Sequence, residues 1–154
     1  MKKDEVLTQL RAAKEAHVNW VQKAKMLISG FTINKEAIPV NSTECQFGKW
    51  FYSDAQKLNA LQNNPLECMT NIEKLHFELH AIYMKIFKIY YEMGEPGFFA
   101  KLFGAKKKIQ QSDKELAIVY FDEMEKVSTR LIEEINRMER RILAISEKEM
   151  GKLI

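Results

Sequence analysis

The chain has 154 residues, of which 46% are hydrophobic and 29% charged, and its 24 basic and 21 acidic residues give a net charge of +3. This length suits one domain with a hydrophobic core, spanning residues 1–154, and is too short for an added catalytic module. So small an excess of positive charge, spread through the predicted helices, does not indicate a nucleic-acid-binding protein.

Cysteine content and hydropathy bear on the cellular compartment. There are two cysteines, no signal peptide and no apolar run of about 18 residues, the length that a membrane span requires. The most apolar stretch, residues 82–91, is interrupted by Lys85 and Lys88. We therefore expect a cytoplasmic protein with no membrane span, in which Cys68 is a small buried thiol and not a disulfide partner.

The first predicted helix runs from about Asp4 to Ser29 and ends at Gly30, a residue suited to a helix C-terminus. His17 lies in the middle of its apolar stripe. The stripe consists of Val6, Leu10, Ala13, His17, Val21, Ala24 and Ile28. Because these positions share one helix face, the His17 imidazole is predicted to face the core.

The second predicted helix is short and contains a cysteine. Residues 43–46 match a capping box with Thr43 as the N-cap, which predicts a helix from Thr43 to about Leu61. Cys45 then lies in the first turn, where free N–H groups and the helix dipole favour a thiolate. Gly48, one turn on, would let this helix approach its neighbours closely.

The third predicted helix begins at Asn64-Pro65 and runs to Met93. Its apolar face contains two histidines, His76 and His80, which are four residues apart. The face consists of Met69, Ile72, Leu75, His76, Leu79, His80, Tyr83, Phe87 and Tyr90. Both imidazoles are therefore predicted to point inward, like that of His17.

A linker, residues 94–111, follows the break at residues 94–97. Within it, Phe98–Phe103 has large apolar residues at helical spacing, and we expect a short helix that plugs the end of a bundle. A docking site for a partner or a membrane surface is the alternative. The basic cluster of Lys101 and residues 106–108 is interpreted as a solvated loop, since no aromatic stacking surface accompanies it.

The last predicted helix spans residues 112–150 and begins at a second capping box, Ser112 to Glu115. Its heptad seam consists of Ala117, Phe121, Met124, Ser128, Leu131, Ile135, Met138, Ile142 and Ile145. From Asp113 to Glu149 the helix would extend about 55 Å, against about 40 Å for the first helix. The apolar seam should then extend beyond the helices that it packs against. A second copy of the chain would cover the exposed part, which predicts a homodimer. A bent or broken helix that folds back is the alternative.

Together these elements predict an all-α protein, an antiparallel four-helix bundle with a short cysteine-bearing helix and a long C-terminal helix. Within such a bundle, a buried ring nitrogen without a partner costs about 1–3 kcal/mol, and three would cost much of the roughly 5–15 kcal/mol that stabilises a domain. Zinc accepts neutral imidazole and thiolate, and small structural sites gain about 10–16 kcal/mol by binding it. The sequence therefore predicts one tetrahedral Zn2+ site formed by His17, Cys45, His76 and His80.

A closed four-ligand site indicates sensing or structure, because metal-dependent hydrolysis needs an open position for water. The metalloprotease motif also requires Glu directly after the first histidine, whereas Glu78 comes two residues after His76. We therefore expect no enzymatic activity.

Three segments match a known family in order and spacing: His17-Val18-Asn19-Trp20, residues 45–52 (Cys-Gln-Phe-Gly-Lys-Trp-Phe-Tyr) and residues 76–80 (His-Phe-Glu-Leu-His). Over about residues 10–90 the chain resembles the chemoreceptor zinc-binding domain. The resemblance implies a helical bundle with a three-histidine, one-cysteine zinc site that controls chemotaxis receptors or diguanylate cyclases, which synthesise cyclic-di-GMP. It also implies that zinc occupancy or cysteine oxidation is the signal.

Domains of this family are usually attached to a receptor or cyclase domain. None is evident in this chain, so we expect a stand-alone member, and the sequence does not identify its output partner.

Two alternatives to a zinc sensor remain. One is a di-iron or oxygen-binding bundle, since Glu73 and His76 form a Glu-x-x-His element of the kind used in ferritin-like sites. A second such element is missing, and a thiolate favours zinc over iron, so Glu73 is interpreted as solvent-exposed or as an acceptor for a ligand's other ring nitrogen. The other alternative is a scaffold in which zinc is purely structural and the last helix dimerises.

Overall fold

The computed structural model describes residues 1–61, 66–92 and 109–153. Within these ranges the regular structure is helical throughout, which confirms the predicted all-α class. The elements are α1 (Lys3–Ile28), α2 (Gln46–Phe51), a 3-10 helix (Asp54–Ala60), α3 (Leu66–Phe87), a π-helical turn (Lys88–Glu92), α4 (Gln111–Ala144) and α5 (Glu147–Met150).

The C-terminus of α1 has the structure that its glycine predicts. Gly30 has a φ of 96°, in the left-handed region. Its N–H donates to the carbonyl of Leu27, and the N–H of Phe31 donates to the carbonyl of Met26. These two bonds form a Schellman motif, which satisfies carbonyls that the helix would otherwise leave free.

Helices α1 and α4 run in opposite directions, because the start of one contacts the end of the other. The Lys3 ammonium donates to the carbonyl of Ile145 at 2.7 Å. Further along α1, Lys14 donates to the side chain of Asn136 at 2.9 Å. Lys3 thereby also satisfies carbonyls at the C-terminal end of α4, where a cation is favourable.

Helix α3 also runs opposite to α4. Arg137 pairs with Glu67 near the start of α3 at 3.1 Å, and the Lys85 ammonium lies 5.0 Å from the ring centroid of Tyr120 near the start of α4. Helices α1 and α3 therefore share a direction. The chain between them returns through α2 and the 3-10 helix.

The predicted start of the cysteine-bearing helix is wrong. Helix α2 begins at Gln46, and Cys45 itself is the N-cap, its sulfur accepting from the N–H of Gly48 at 3.2 Å. Instead, the N–H and the hydroxyl of Thr43 both donate hydrogen bonds to the side-chain oxygen of Asn41. A side-chain turn at Asn41 thus replaces the predicted cap.

The prediction that this helix continues to Leu61 is also wrong. Helix α2 ends at Phe51, where side chains take the carbonyls that a longer helix would use. The Ser53 hydroxyl donates to the carbonyl of Lys49 at 2.6 Å, and the Gln56 amide donates to that of Phe51 at 2.7 Å. The chain then continues as the 3-10 helix.

The last helix differs from its prediction at both ends. Helix α4 begins at Gln111, before the predicted N-cap Ser112, and has no side-chain cap. It ends at Ala144, and a capping box of Ser146 and Glu149 starts α5. The predicted continuous helix to Glu149 is therefore wrong, and the alternative of a broken helix is confirmed. This break folds the C-terminal segment inward, so that Met150 is fully buried.

The seam of α4 is buried within one chain. All nine predicted seam residues are less than 9% exposed: Ala117, Phe121, Met124, Ser128, Leu131, Ile135, Met138, Ile142 and Ile145. The expectation that this seam outruns its bundle is therefore wrong, because α1 and α3 cover it. The homodimer stays a prediction, but an exposed end of the α4 seam no longer supports it.

Several predicted features lie outside the described residues: Asn64-Pro65, residues 94–97, Phe98–Phe103 and the basic cluster of Lys101 and residues 106–108. Cys68 is buried and forms no disulfide with Cys45, as predicted. Among the described helices, none is both long enough and apolar enough to cross a membrane.

Candidate metal centre

Three buried imidazoles meet between α1 and α3. The exposed fractions of His17, His76 and His80 are 0%, 1% and 4%, so all three histidines face inward as the periodicity predicts. One ring nitrogen from each lies within 4.8 Å of the other two. Whether these residues bind a metal stays a prediction, but the structure brings them to one point.

Cys45 lies at the edge of this histidine group. Its sulfur is 3.3 Å from Nε2 of His76, which in turn is 3.1 Å from Nε2 of His80. In a tetrahedral zinc site with bonds of about 2.0–2.3 Å, ligand atoms lie about 3.3–3.8 Å apart. These two separations are therefore close to those that a zinc site needs, whereas the group of ligand atoms that all lie within 4.8 Å of one another contains the three histidines and not Cys45.

Backbone carbonyls fix the tautomers of two of the imidazoles. Nδ1 of His17 lies 2.6 Å from the carbonyl of Ala13, and Nδ1 of His80 lies 2.8 Å from that of Pro39. A carbonyl can only accept, so each Nδ1 bears the proton and each Nε2 presents its lone pair to the centre. Nε2 of His17 is buried and makes no hydrogen bond among the described residues. A metal ion would satisfy this nitrogen.

The imidazoles are held in the neutral form, which is the form that binds zinc. Burial lowers the pKa of His17 to about 4, and the hydrogen bond to Ala13 opposes this shift only in part. Burial, reinforced by the two neighbouring histidines, lowers the pKa of His76 to about 2. The pKa of His80 is also lowered by burial. All three rings are therefore neutral at pH 7.

The N–H groups at the start of α2 favour a Cys45 thiolate, as predicted, but burial of the sulfur outweighs them. Burial raises the pKa of this thiol, and the N–H groups of Gly48 and Phe47 and the charge of Lys49 oppose the shift without reversing it. The sulfur also donates to the carbonyl of Ser42 at 3.3 Å. A thiolate here needs a cation beside it.

The turn that holds Cys45 is closed so tightly that it requires glycine at position 48. A Cβ added to Gly48 would lie within the van der Waals radius of the Ser42 carbonyl oxygen, at 1.8 Å. The backbone of residues 42–48 therefore wraps closely around the sulfur. The predicted close approach occurs, although its partner is this turn and not another helix.

Aromatic rings form the walls of the centre. The ring of Trp20 lies edge-on to His17 with centroids 4.6 Å apart, and the ring of Phe47 lies edge-on to His76 at 5.1 Å. Apolar walls of this kind limit the access of water. Trp20 follows His17 by one turn of α1, so helical spacing could have identified it. No sequence signal identifies the carbonyls of Ala13 and Pro39, because they belong to the backbone.

Glu73 does not belong to the centre. Its side chain is exposed, as predicted, and it accepts a hydrogen bond from the Tyr52 hydroxyl. The group of close ligand atoms found in the described part of the chain contains histidine nitrogens and no carboxylate oxygen. The di-iron alternative, which requires bridging carboxylates, has no support from this arrangement.

Residues 17–87 match the family model of the chemoreceptor zinc-binding domain. Over these residues, a little under half of the chain, the sequence is similar to that family. The match begins at His17 and includes Cys45, His76 and His80. Comparisons with curated proteins and with solved structures gave no match. As its description says, the matched family binds zinc, and within the matched residues the structure brings three histidines together as a potential metal site.

Proposed function

We propose that His17, Cys45, His76 and His80 bind one zinc ion as a closed four-ligand site. The main support is the convergence of three buried, neutral imidazole nitrogens within 4.8 Å, with the Cys45 sulfur 3.3 Å from His76. The orphan Nε2 of His17 adds to it, because an unpaired buried nitrogen destabilises the fold unless something binds it. With four protein ligands no position is left for a substrate, so we propose no catalytic activity.

We propose that this site is a sensory switch in bacterial signal transduction, responding to zinc concentration or to oxidation of Cys45. Zinc, when bound, supplies the positive charge that keeps the buried Cys45 sulfur as a thiolate. Hypochlorous acid would oxidise that thiolate to sulfenic acid and release chloride, and the sulfenic acid is a weaker ligand. Either loss of zinc or this oxidation would detach Cys45 from the histidines.

Detachment of Cys45 would be transmitted through α2. Cys45 is the N-cap of this helix, and Phe47, in its first turn, packs edge-on against His17 and His76. A change at the sulfur therefore alters how α2 packs on α1 and α3. We propose that the bundle has two packings and that a partner distinguishes between them.

The direct test is zinc content and affinity in a Cys45→Ala variant, with Cys68→Ala as the matched control. Both thiols are buried, but among the hydrogen bonds of the described residues it is the Cys45 sulfur that reaches the histidine group. We expect stoichiometric zinc in the native protein and in Cys68→Ala. We expect zinc affinity at least about 100-fold weaker in Cys45→Ala, since even residues that only support zinc ligands cost 10–100-fold. Elemental analysis and competition with a chromophoric chelator measure both quantities.

The redox response separates a sensor from a structural scaffold. We expect mild hypochlorous acid to release zinc from the native protein and from Cys68→Ala, with a change in hydrogen exchange in residues 46–51. A zinc site that resists both the oxidant and mild chelation would support the scaffold. An unchanged redox response in Cys45→Ala would contradict the proposed switch.

For the output we propose a cytoplasmic role with a chemotaxis receptor or a diguanylate cyclase as the partner, the chain acting as a homodimer. The outer face of α4 exposes Ile118, Val119 and Leu143 by half or more, and a second copy or a partner would cover such side chains. Affinity purification of the native protein with and without chelator identifies a zinc-dependent partner. Light scattering under the same conditions gives the oligomeric state.

A further inference from the structure

The loop between α1 and α2, residues 31–45, lies along one face of α3 and of its π-helical turn. Three contacts attach it there. The Tyr91 hydroxyl donates to the carbonyl of Ile33 at 2.8 Å, the Lys35 ammonium lies 5.6 Å from the ring centroid of Phe87, and Nδ1 of His80 donates to the carbonyl of Pro39 at 2.8 Å. The loop thus joins the end of α3 to the metal centre.

This loop supplies two groups to the centre. One is the carbonyl of Pro39, which fixes the tautomer of His80, and the other is Cys45 at the end of the loop. Between Phe31 and Ala37 every side chain is exposed or only half-buried, and Ile38 is the first to be buried, at 2% exposure. Packing alone therefore holds the first part of the loop weakly, and specific contacts must position it.

Tyr91 makes the contact that lies furthest from the centre. It belongs to the π-helical turn Lys88–Glu92, and its ring packs on that of Phe87 with centroids 4.9 Å apart. Local π turns occur frequently at functional positions, where they change the direction of a side chain. Here the turn places the Tyr91 hydroxyl under the loop, beside the Phe87 ring on which Lys35 rests.

We propose that Tyr91 is a positioning residue for the metal centre. By holding Ile33, it orders the loop before zinc binds, so that Pro39 and Cys45 already lie near the histidines. Binding then costs less conformational entropy, which is the general benefit of pre-organisation. By the same contact, zinc binding and the π-helical end of α3 become coupled, because each orders the same loop. This inference rests on the proposed zinc site.

The test compares Tyr91→Phe with Tyr90→Phe. Tyr90 is the adjacent tyrosine, is half-buried, and makes no hydrogen bond through its hydroxyl within the described residues. We expect Tyr91→Phe to weaken zinc affinity about fivefold, the effect of losing one ordinary hydrogen bond, and Tyr90→Phe to leave it unchanged. Lys35→Gln, which removes the neighbouring cation–π contact, should weaken it about twofold. Chelator competition measures each affinity.

A second measurement distinguishes positioning from a general loss of stability. Hydrogen exchange of residues 31–45 should be faster in zinc-free Tyr91→Phe than in the zinc-free native protein, and zinc should restore most of the protection. The increase in thermal midpoint that zinc gives should also be smaller in this variant, because its affinity is weaker.

An equal loss of thermal stability with and without zinc, at unchanged zinc affinity, would overturn the positioning role. That result would leave the proposed zinc site intact. If instead the native protein bound no zinc, the proposed function itself would fail.

Discussion

The bundle buries two stripes of side chains by the same helical spacing, but different forces hold them. On α4 the stripe is apolar except for Ser128, and packing against α1 and α3 buries it without any need for polar partners. Where α1 faces α3, the stripe contains His17, His76 and His80, whose ring nitrogens need partners that apolar packing does not provide. Two stripes that are equally buried can therefore differ in whether their side chains find all their partners within the bundle. One region is stabilised by its own packing, and the other leaves Nε2 of His17 without a partner among the described residues, which the proposed zinc ion would supply.

The largest effects should come from substituting one residue in each of the two regions by alanine. We expect His76→Ala to weaken zinc affinity by more than about 100-fold, because it removes the imidazole that lies next to both Cys45 and His80. Leu131→Ala, at a fully buried position of α4, should lower the free energy of unfolding by about 2–5 kcal/mol and leave zinc affinity unchanged.

Chelator competition and urea denaturation, each measured on both variants, check this contrast. If Leu131→Ala weakened zinc binding as strongly as His76→Ala, the two regions would not be independent, and the comparison would fail.

A smaller effect is expected from acid in the presence of a chelator. The folded-state pKa of His17, about 4, lies below the ordinary value of 6.5, so between these values the unfolded chain binds more protons than the folded one. The free energy of unfolding should therefore fall as the pH falls from 6.5 to 4, by about 3 kcal/mol from His17 alone.

The lowered pKa values of His76 and His80 act in the same direction. Urea titrations across this pH range test the prediction, and His17→Gln is the control, since glutamine does not titrate. An equal pH dependence in that variant would mean that other groups cause the acid sensitivity.

The smallest effect concerns a polar group that lies outside the metal centre. The Tyr83 hydroxyl is buried and has no hydrogen-bond partner in the described part of the protein. Its removal in Tyr83→Phe should raise the free energy of unfolding by about 1 kcal/mol, because an unpaired buried group destabilises the fold. Zinc affinity should not change. Destabilisation by this variant would indicate that the hydroxyl has a partner after all, such as a bound water.

Features set by local spacing could be predicted from the sequence. The histidines at positions 17, 76 and 80 face inward because their neighbours at three- and four-residue spacing are apolar, and Gly30 ends α1 because glycine adopts a left-handed backbone easily. These conclusions need no knowledge of distant contacts, and the structure agrees with them.

Other features depend on competition between neighbouring signals. Ser112–Glu115 and Ser146–Glu149 have the same capping-box pattern, but only the second forms one. Thr43 loses its capping role because Asn41 engages it first. Such outcomes depend on which of several possible hydrogen bonds forms in the folded chain. The sequence pattern alone does not contain that information.

The contacts that backbone groups make with the centre could not be predicted. The carbonyl of Pro39 reaches His80 only because the loop from α1 to α2 lies on α3, and a backbone carbonyl has no signature in the sequence. The raised pKa of Cys45 likewise results from burial by the folded chain, which outweighs the local effect of the helix N-terminus.

The edge-on contact between Trp20 and two of the imidazoles has a practical consequence. The indole lies 4.6 Å from His17 and 5.5 Å from His80, measured between ring centroids. We expect its fluorescence to change with the protonation or coordination of rings so near to it. The domain thus contains an intrinsic optical probe, and filling or emptying of the centre can be followed in real time without a label.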